Sequence, residues 1–189
     1  MTGPNLRWLR LPVKLGRRLG SWFVQRRALA LALSAIWSAA HADALIGKVV
    51  GISDGDTVTV LTEEHRQVKI RIAGIDAPEK RQAFGQAAKD AMSDCAFGKQ
   101  AGVEWKRLDR YGRTIGKLTV DGVDCGLRQI ELGLAWHYKA YEREQAAADR
   151  SAYAEAENAA RSARRGLWSD AQPIPPWEFR HAKRDGSAP

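Results

Sequence analysis

Between Leu45 and Val120 the chain carries five short stretches with the two-residue rhythm of a β-strand, interrupted once by a stretch with helical rhythm. Successive side chains of a strand point to opposite faces, so Val68, Ile70 and Ile72 share one side while Lys69 and Arg71 share the other. The first stretch, Leu45 to Ile52, runs into Ser53-Asp54-Gly55-Asp56, where Asp-Gly favours a hairpin turn. Thr57 to Leu61 alternates apolar and hydroxyl residues and reads as the second strand. Gln67 to Ile75 is the third, stopped at Pro78. Ala101 to Leu108 and Thr114 to Val120 are the fourth and fifth, joined by Asp109-Arg110-Tyr111-Gly112. One helix after the third strand and others after the fifth give the pattern of a small closed barrel of the OB type, a fold that binds oligonucleotides on one face. The expected class is α+β, a five-stranded OB-type β-barrel with about three helices.

The helices follow from the same patterning. Gln82 to Ala96 places Phe84, Ala87, Ala88, Ala91, Met92 and Cys95 at three- and four-residue spacings, an amphipathic helix. A second covers Cys125 to Leu132 and ends at Gly133; a third, Ala-rich and charged, covers Glu142 to Arg164 and closes at Gly166. Residues 170–189, with Pro173, Pro175 and Pro176, read as an extended tail with a disordered end. A length of 189 residues suits one domain with extensions, and 44% apolar residues with seven Trp exclude a disordered chain. Two Cys and four His are too few for a disulfide scaffold and argue against a Cys/His zinc site. After export to an oxidising compartment, Cys95 and Cys125 read equally well as one disulfide and as two buried thiols.

The formal net charge of +8 invites the inference of an acidic partner. Its distribution undoes that inference. Residues 1–42 hold seven of the 30 basic residues and no acidic one, so the remainder carries 23 against 22, a formal net charge of +1. The basic stretch precedes an apolar run from Ala28 to Ala40 and then Ala40-His41-Ala42, a small-x-small cleavage pattern. Residues 1–42 are therefore expected to be a secretory signal peptide; Arg26-Arg27 leaves a twin-arginine variant open. A run of 13 residues, Ala28 to Ala40, is too short to span about 30 Å of hydrocarbon. The expected organisation is a signal segment 1–42, a folded domain 43–169 and a tail 170–189, with a secreted or periplasmic location and no membrane association after cleavage.

Three charged segments fall where strands end: Asp54-Gly55-Asp56-Thr57, then Arg71 through Asp76-Ala77-Pro78-Glu79, then Asp109-Arg110-Tyr111-Gly112-Arg113. Taken singly, each reads first as a turn or strand stop, since turns attract Asp and Gly. Taken together, Asp56, Asp76 and Glu79 are hard oxygen donors of the kind that hold Ca²⁺, and like charges gathered without a cation would repel. Arg71 and Arg113 offer fork-shaped donors suited to gripping phosphate on two oxygens. Phosphodiester cleavage needs such donors, a cation and a positioned water.

These segments, in this order, closely resemble the staphylococcal nuclease (thermonuclease) family, and the likeness runs over nearly all of residues 44–168, including Gly133-Leu134-Ala135 and Gly166-Leu167-Trp168-Ser169. The resemblance implies an OB-fold, Ca²⁺-dependent phosphodiesterase acting on DNA and RNA. It implies Asp56 and Asp76 as calcium carboxylates, with Ala77, where the family commonly has Thr, contributing its backbone carbonyl. It implies Arg71 and Arg113 as the phosphate-gripping arginines and Glu79 as the base. Tyr111 and Tyr141 correspond to the aromatic residues flanking the nucleotide, with Arg110 in a basic supporting position. The loop Lys80 to Phe84 is shorter than in the type protein, so substrate edge contacts are expected to differ. His65 and His137 have no matched partner and read as surface or structural residues. A monomer without a stable protein partner is expected. The competing reading is a non-catalytic OB module that binds single strands by stacking and backbone charge; mere binding has no need of Glu79.

Overall fold

A computed structural model describes residues 43–186; the expected signal segment and residues 187–189 lie outside the described residues. The strands are β1 (Asp43–Ile52), β2 (Thr57–Thr62), β3 (Gln67–Ile72), β4 (Ile75–Asp76), β5 (Gln100–Leu108), β6 (Thr114–Val120), β7 (Val123–Asp124) and β8 (Trp136–His137). Five of them pair in the order β3-β2-β1-β5-β6, and a parallel pairing of β3 with β6 closes the ring. The five expected strands thus form the expected closed barrel of an OB-type α+β fold. Its interior is built from the inward half of each alternation. Val49, Val58, Val60, Ile70, Leu118 and Val120 are all buried. Each fully buried aliphatic side chain of this size contributes roughly 2 kcal/mol.

The third strand stops at Ile72, three residues earlier than its alternation implies. Gly74 adopts φ 73°, a left-handed conformation that costs Gly little, and the Ala73 N–H turns aside to the Gly116 carbonyl at 2.9 Å. The chain then re-enters extended structure as β4, which pairs antiparallel with β8, Ile75 opposite His137 and Asp76 opposite Trp136. This corner lifts Asp76 off the barrel and sets it beside Arg71.

The first helix, α1 (Gly85–Ala96), begins later than expected because Phe84 sits at φ 64° and two tight turns, Gln82 N–H to Glu79 and Gly85 N–H to Gln82, occupy the preceding residues. Its Ala88, Met92 and Ala96 are buried against the barrel. Helix α2 (Cys125–Glu131) is capped by Asp124, whose carboxylate accepts from the N–H groups of Gly126 and Leu127. Tyr153 donates its hydroxyl to the same carboxylate at 3.0 Å. Cys95 and Cys125 are joined by a disulfide, with Cα atoms 6.0 Å apart, tying the end of α1 to the start of α2.

A 3₁₀ turn, Lys139–Glu144, and an extended Gln145 delay the third helix, α3, to Ala147–Ser162. The chain returns through a second 3₁₀ turn, Gly166–Ser169, where the Leu167 N–H meets the Gly133 carbonyl at 2.8 Å. Trp136, Ala160, Leu167 and Trp168 form a second apolar cluster there, with the Arg161 guanidinium 3.8 Å from the Trp168 ring centroid.

The tail departs from its extended reading. Pro176–Arg184 is a helix, α4. Proline is compatible with the first helical turn, where its missing N–H has no partner to lose. Glu178 near the start and His181, Lys183 and Arg184 in the last turn suit the helix dipole. Among the described residues no helix is long and apolar enough to cross a membrane.

Candidate active site

All nine residues singled out in the sequence line one open cleft of about 1220 Å³: Asp56, Arg71, Asp76, Ala77, Glu79, Arg110, Tyr111, Arg113 and Tyr141. Arg71 is its hub. The residue opposite Arg71 on β2 is Thr57, which follows Asp56, so the strand register brings Asp56 and Arg71 together. The β4 corner brings Asp76. One guanidinium nitrogen of Arg71, Nη2, lies 3.2 Å from Asp56 Oδ2 and 2.8 Å from Asp76 Oδ1. The other, Nη1, donates to the carbonyls of Ile72 and Ile75 at 3.1 and 2.9 Å, the two sides of the corner. The Arg71 side chain is only 14% exposed and Asp76 is fully buried.

Asp56 is held as firmly. Its Oδ1 accepts from the Thr57 hydroxyl at 3.0 Å and its Oδ2 from the Ala77 N–H at 2.8 Å. Ala77 therefore reaches the site through its backbone, which a change of side chain leaves intact. Gly55 allows this loop to lie flat, since a Cβ there would stand 2.6 Å from the Ala88 Cβ and 2.7 Å from the Ala77 Cβ. Gln129, buried on α2, donates through Nε2 to the Gly55 carbonyl at 2.8 Å and the Ala88 carbonyl at 2.7 Å.

The electrostatics follow from crowding. Burial, then the charge of Asp56, pushes the Asp54 carboxyl up to about 6. Burial also raises Asp76, against the opposing hydrogen bond from Arg180 and the charge of Arg71. Carboxylates held this close need positive charge. Two carboxylates meeting on one nitrogen form an all-oxygen donor pair, fitted to a hard cation whose other positions can be filled by a backbone carbonyl and water. Among the described residues no group of three or more His, Cys, Asp or Glu side chains stands ready to hold a metal unaided.

The remaining expected residues sit around this hub. Glu79 follows Pro78 at the cleft edge, 39% exposed at its side chain. On the β5–β6 hairpin, Arg113 is fixed by Asp109, its Nε donating to Oδ2 at 2.7 Å. Asp109 also accepts the N–H groups of Tyr111 and Arg113 at 2.8 and 2.9 Å, which shapes the tip. Arg110 stacks on Tyr111, 4.8 Å from its centroid, and Tyr111 is 68% exposed. Tyr141 stands 5.2 Å from Tyr138 by ring centroids and is half-exposed.

Arg180 is the residue the sequence reading passed over. It lies on α4 and donates to both Asp76 oxygens, Nη1 to Oδ1 at 3.2 Å and Nη2 to Oδ2 at 2.8 Å, and to Glu79 Oε1 at 2.9 Å. Burial works against its charge, but the hydrogen bonds to Asp76 and Glu79 outweigh that and hold it more firmly protonated than a free arginine. The pattern Pro-Trp-Glu-Phe-Arg, with proline first and an acid early, was the helix signal available. Gln129 was likewise missed, because nothing marks a buried glutamine inside a short helix as a tether.

Comparison with known proteins agrees with this architecture. The family described as staphylococcal nuclease homologue matches residues 69–170. An uncharacterized endonuclease of Escherichia coli is 38% identical over 148 residues, 78% of this chain and 92% of that protein. A micrococcal nuclease of Shigella flexneri is 38% identical over 170 residues, covering 85% and 95%. A probable staphylococcal-like nuclease of rice, Oryza sativa subsp. japonica, is 40% identical over 123 residues, 65% of this chain and 35% of its own length. With a matching family model, relatives covered almost end to end and a closed five-stranded barrel, the chain belongs to the staphylococcal nuclease family.

Proposed function

We propose that the protein is an exported, calcium-dependent nuclease that hydrolyses phosphodiester bonds in DNA and RNA, acting as a monomer in the periplasm or outside the cell. The observation that carries this reading is the meeting of Asp56 and Asp76 on one Arg71 nitrogen, with Glu79 at the edge of the same cleft. Family membership and the nuclease names of the relatives support the reaction class. The basic, apolar and small-residue order of residues 1–42 supports export.

In this mechanism Asp56 and Asp76 would hold the cation, with the Ala77 carbonyl as a further oxygen donor. Calcium held there would supply charge neutralisation and Lewis-acid polarisation of the phosphate. Arg71 keeps both carboxylates in register and sets its positive charge beside the phosphate as charge grows on the equatorial oxygens. Arg113, on the β5–β6 hairpin, supplies the fork. Glu79, more accessible than Asp56 and Asp76, takes the proton from the attacking water. Tyr111 and Tyr141 present ring faces to neighbouring bases, with Arg110 adding charge behind Tyr111.

The test is hydrolysis of plasmid DNA and of RNA by the purified protein with calcium, with chelator, and in Glu79→Gln. Cleavage is expected with calcium only, and Glu79→Gln should lose at least about 100-fold in rate while still binding a nucleotide. Cleavage that survives chelation, or an undiminished variant, overturns the mechanism. Binding without cleavage in the wild type restores the non-catalytic module.

A further inference from the structure

The C-terminal helix does more than close the fold. Helix α4 is fastened over the cleft at two points ahead of Arg180. Gln82 Nε2 donates to the Ile174 carbonyl at 2.6 Å, fixing the approach to the helix. Trp177 stacks on Tyr138, with centroids 5.6 Å apart and an interplanar angle of 18°, and meets Trp136 edge-on at 5.5 Å. From this anchor Arg180 reaches one turn further and closes on Asp76 and Glu79.

The consequence lies in what Asp76 has left to give. Its Oδ1 already accepts from Arg71 and Arg180, and its Oδ2 from Arg180. A carboxylate so occupied keeps one acceptor position, on Oδ2, and a doubly charged ion placed there would stand against the guanidinium that holds it. The same Arg180 engages Glu79 Oε1, the acid proposed to receive the proton from water. One side chain therefore engages both the metal ligand and the base together.

We propose that Arg180 is a built-in counter-ion that competes with the divalent cation for Asp76, so that α4 sets the cation affinity of the site. This rests on the reading of Asp56 and Asp76 as cation ligands. Displacing Arg180 frees Asp76 and Glu79 in one event, which makes cation binding and unmasking of the base a single step. Arg180 is a positioning residue in this account, acting through the two acids.

Calorimetric titration of calcium chloride into the full-length protein tests it without any turnover. Arg180→Gln is expected to bind calcium about tenfold more tightly than wild type, the worth of one charge-assisted hydrogen bond. Trp177→Ala, which loosens the anchor, should move the same way, and Arg180→Lys should stay nearer to wild type. Lys183→Gln removes the same charge from the same helix and should change affinity by less than about twofold. Tightening in Lys183→Gln equal to that in Arg180→Gln would reduce the effect to general charge and overturn the proposal. Unchanged or weaker binding in Arg180→Gln, with binding lost in Asp56→Asn, overturns the proposal and leaves the cation site standing. Absence of calcium binding in wild type and all variants removes both.

Discussion

Gln129 offers the sharpest test of how the acidic loop is held. Its Nε2 bridges the carbonyls of Gly55 and Ala88 from a fully enclosed position, while its Oε1 has no partner. Replacement by Leu keeps the volume and deletes both donors. Ala88 lies inside α1, where its carbonyl also serves the helix, so it loses one of two partners. Gly55 lies in a turn, so its buried carbonyl bears most of the cost. A buried acceptor stripped of its donor costs about 1–3 kcal/mol, and removing the unpartnered Oε1 returns part of that. The expected net loss is about 2 kcal/mol, a fall of roughly 1 M in the urea midpoint for a domain of this size. Gln129→Glu should be worse, because it turns an acceptor-only carboxylate toward two carbonyls in a buried site. Urea titration followed by tryptophan fluorescence measures both, and activity should fall as the loop carrying Asp56 loses its tether. Equal midpoints for wild type and Gln129→Leu, or a Gln129→Glu no less stable than Gln129→Leu, would refute the account of the tether.

Two further expectations follow from the same geometry. Arg71→Lys keeps the charge but cannot serve two carboxylates and two carbonyls at once; it should cost about 3 kcal/mol in urea unfolding, as for a broken buried ion pair, and at least about 100-fold in turnover. The Cys95–Cys125 link closes a loop of 30 residues, so Cys95→Ser with Cys125→Ser should lose roughly 3.5 kcal/mol by the chain-entropy estimate, read as a lowered urea midpoint that reductant reproduces in the wild type.

The barrel was legible because alternation is a local signal: Val68, Ile70 and Ile72 need only a buried face to read as a strand. The cleft was legible because its residues cluster in three short segments. What escaped was decided by tertiary partners. The break at Ala73-Gly74 depends on the Gly116 carbonyl, far along the chain, and β4 exists only because Trp136 and His137 lie alongside it. Prolines marked residues 170–189 as extended, yet Pro176 begins a helix that Trp177 holds through Tyr138 and Trp136. The disulfide stood open for the same reason, since a sequence does not set two Cα atoms 6.0 Å apart.

The parallel seam between β3 and β6 carries a consequence for how such a chain matures. It sets Ile70 beside Thr114 and Arg71 beside Ile115, so the two arginine-bearing segments become neighbours only when the ring shuts. Until β3 and β6 pair, nothing in the ladder joins the strand of Arg71 directly to the segment that carries Arg113. Closing the ring, rather than forming its strands, is what makes one cleft of the two guanidinium groups.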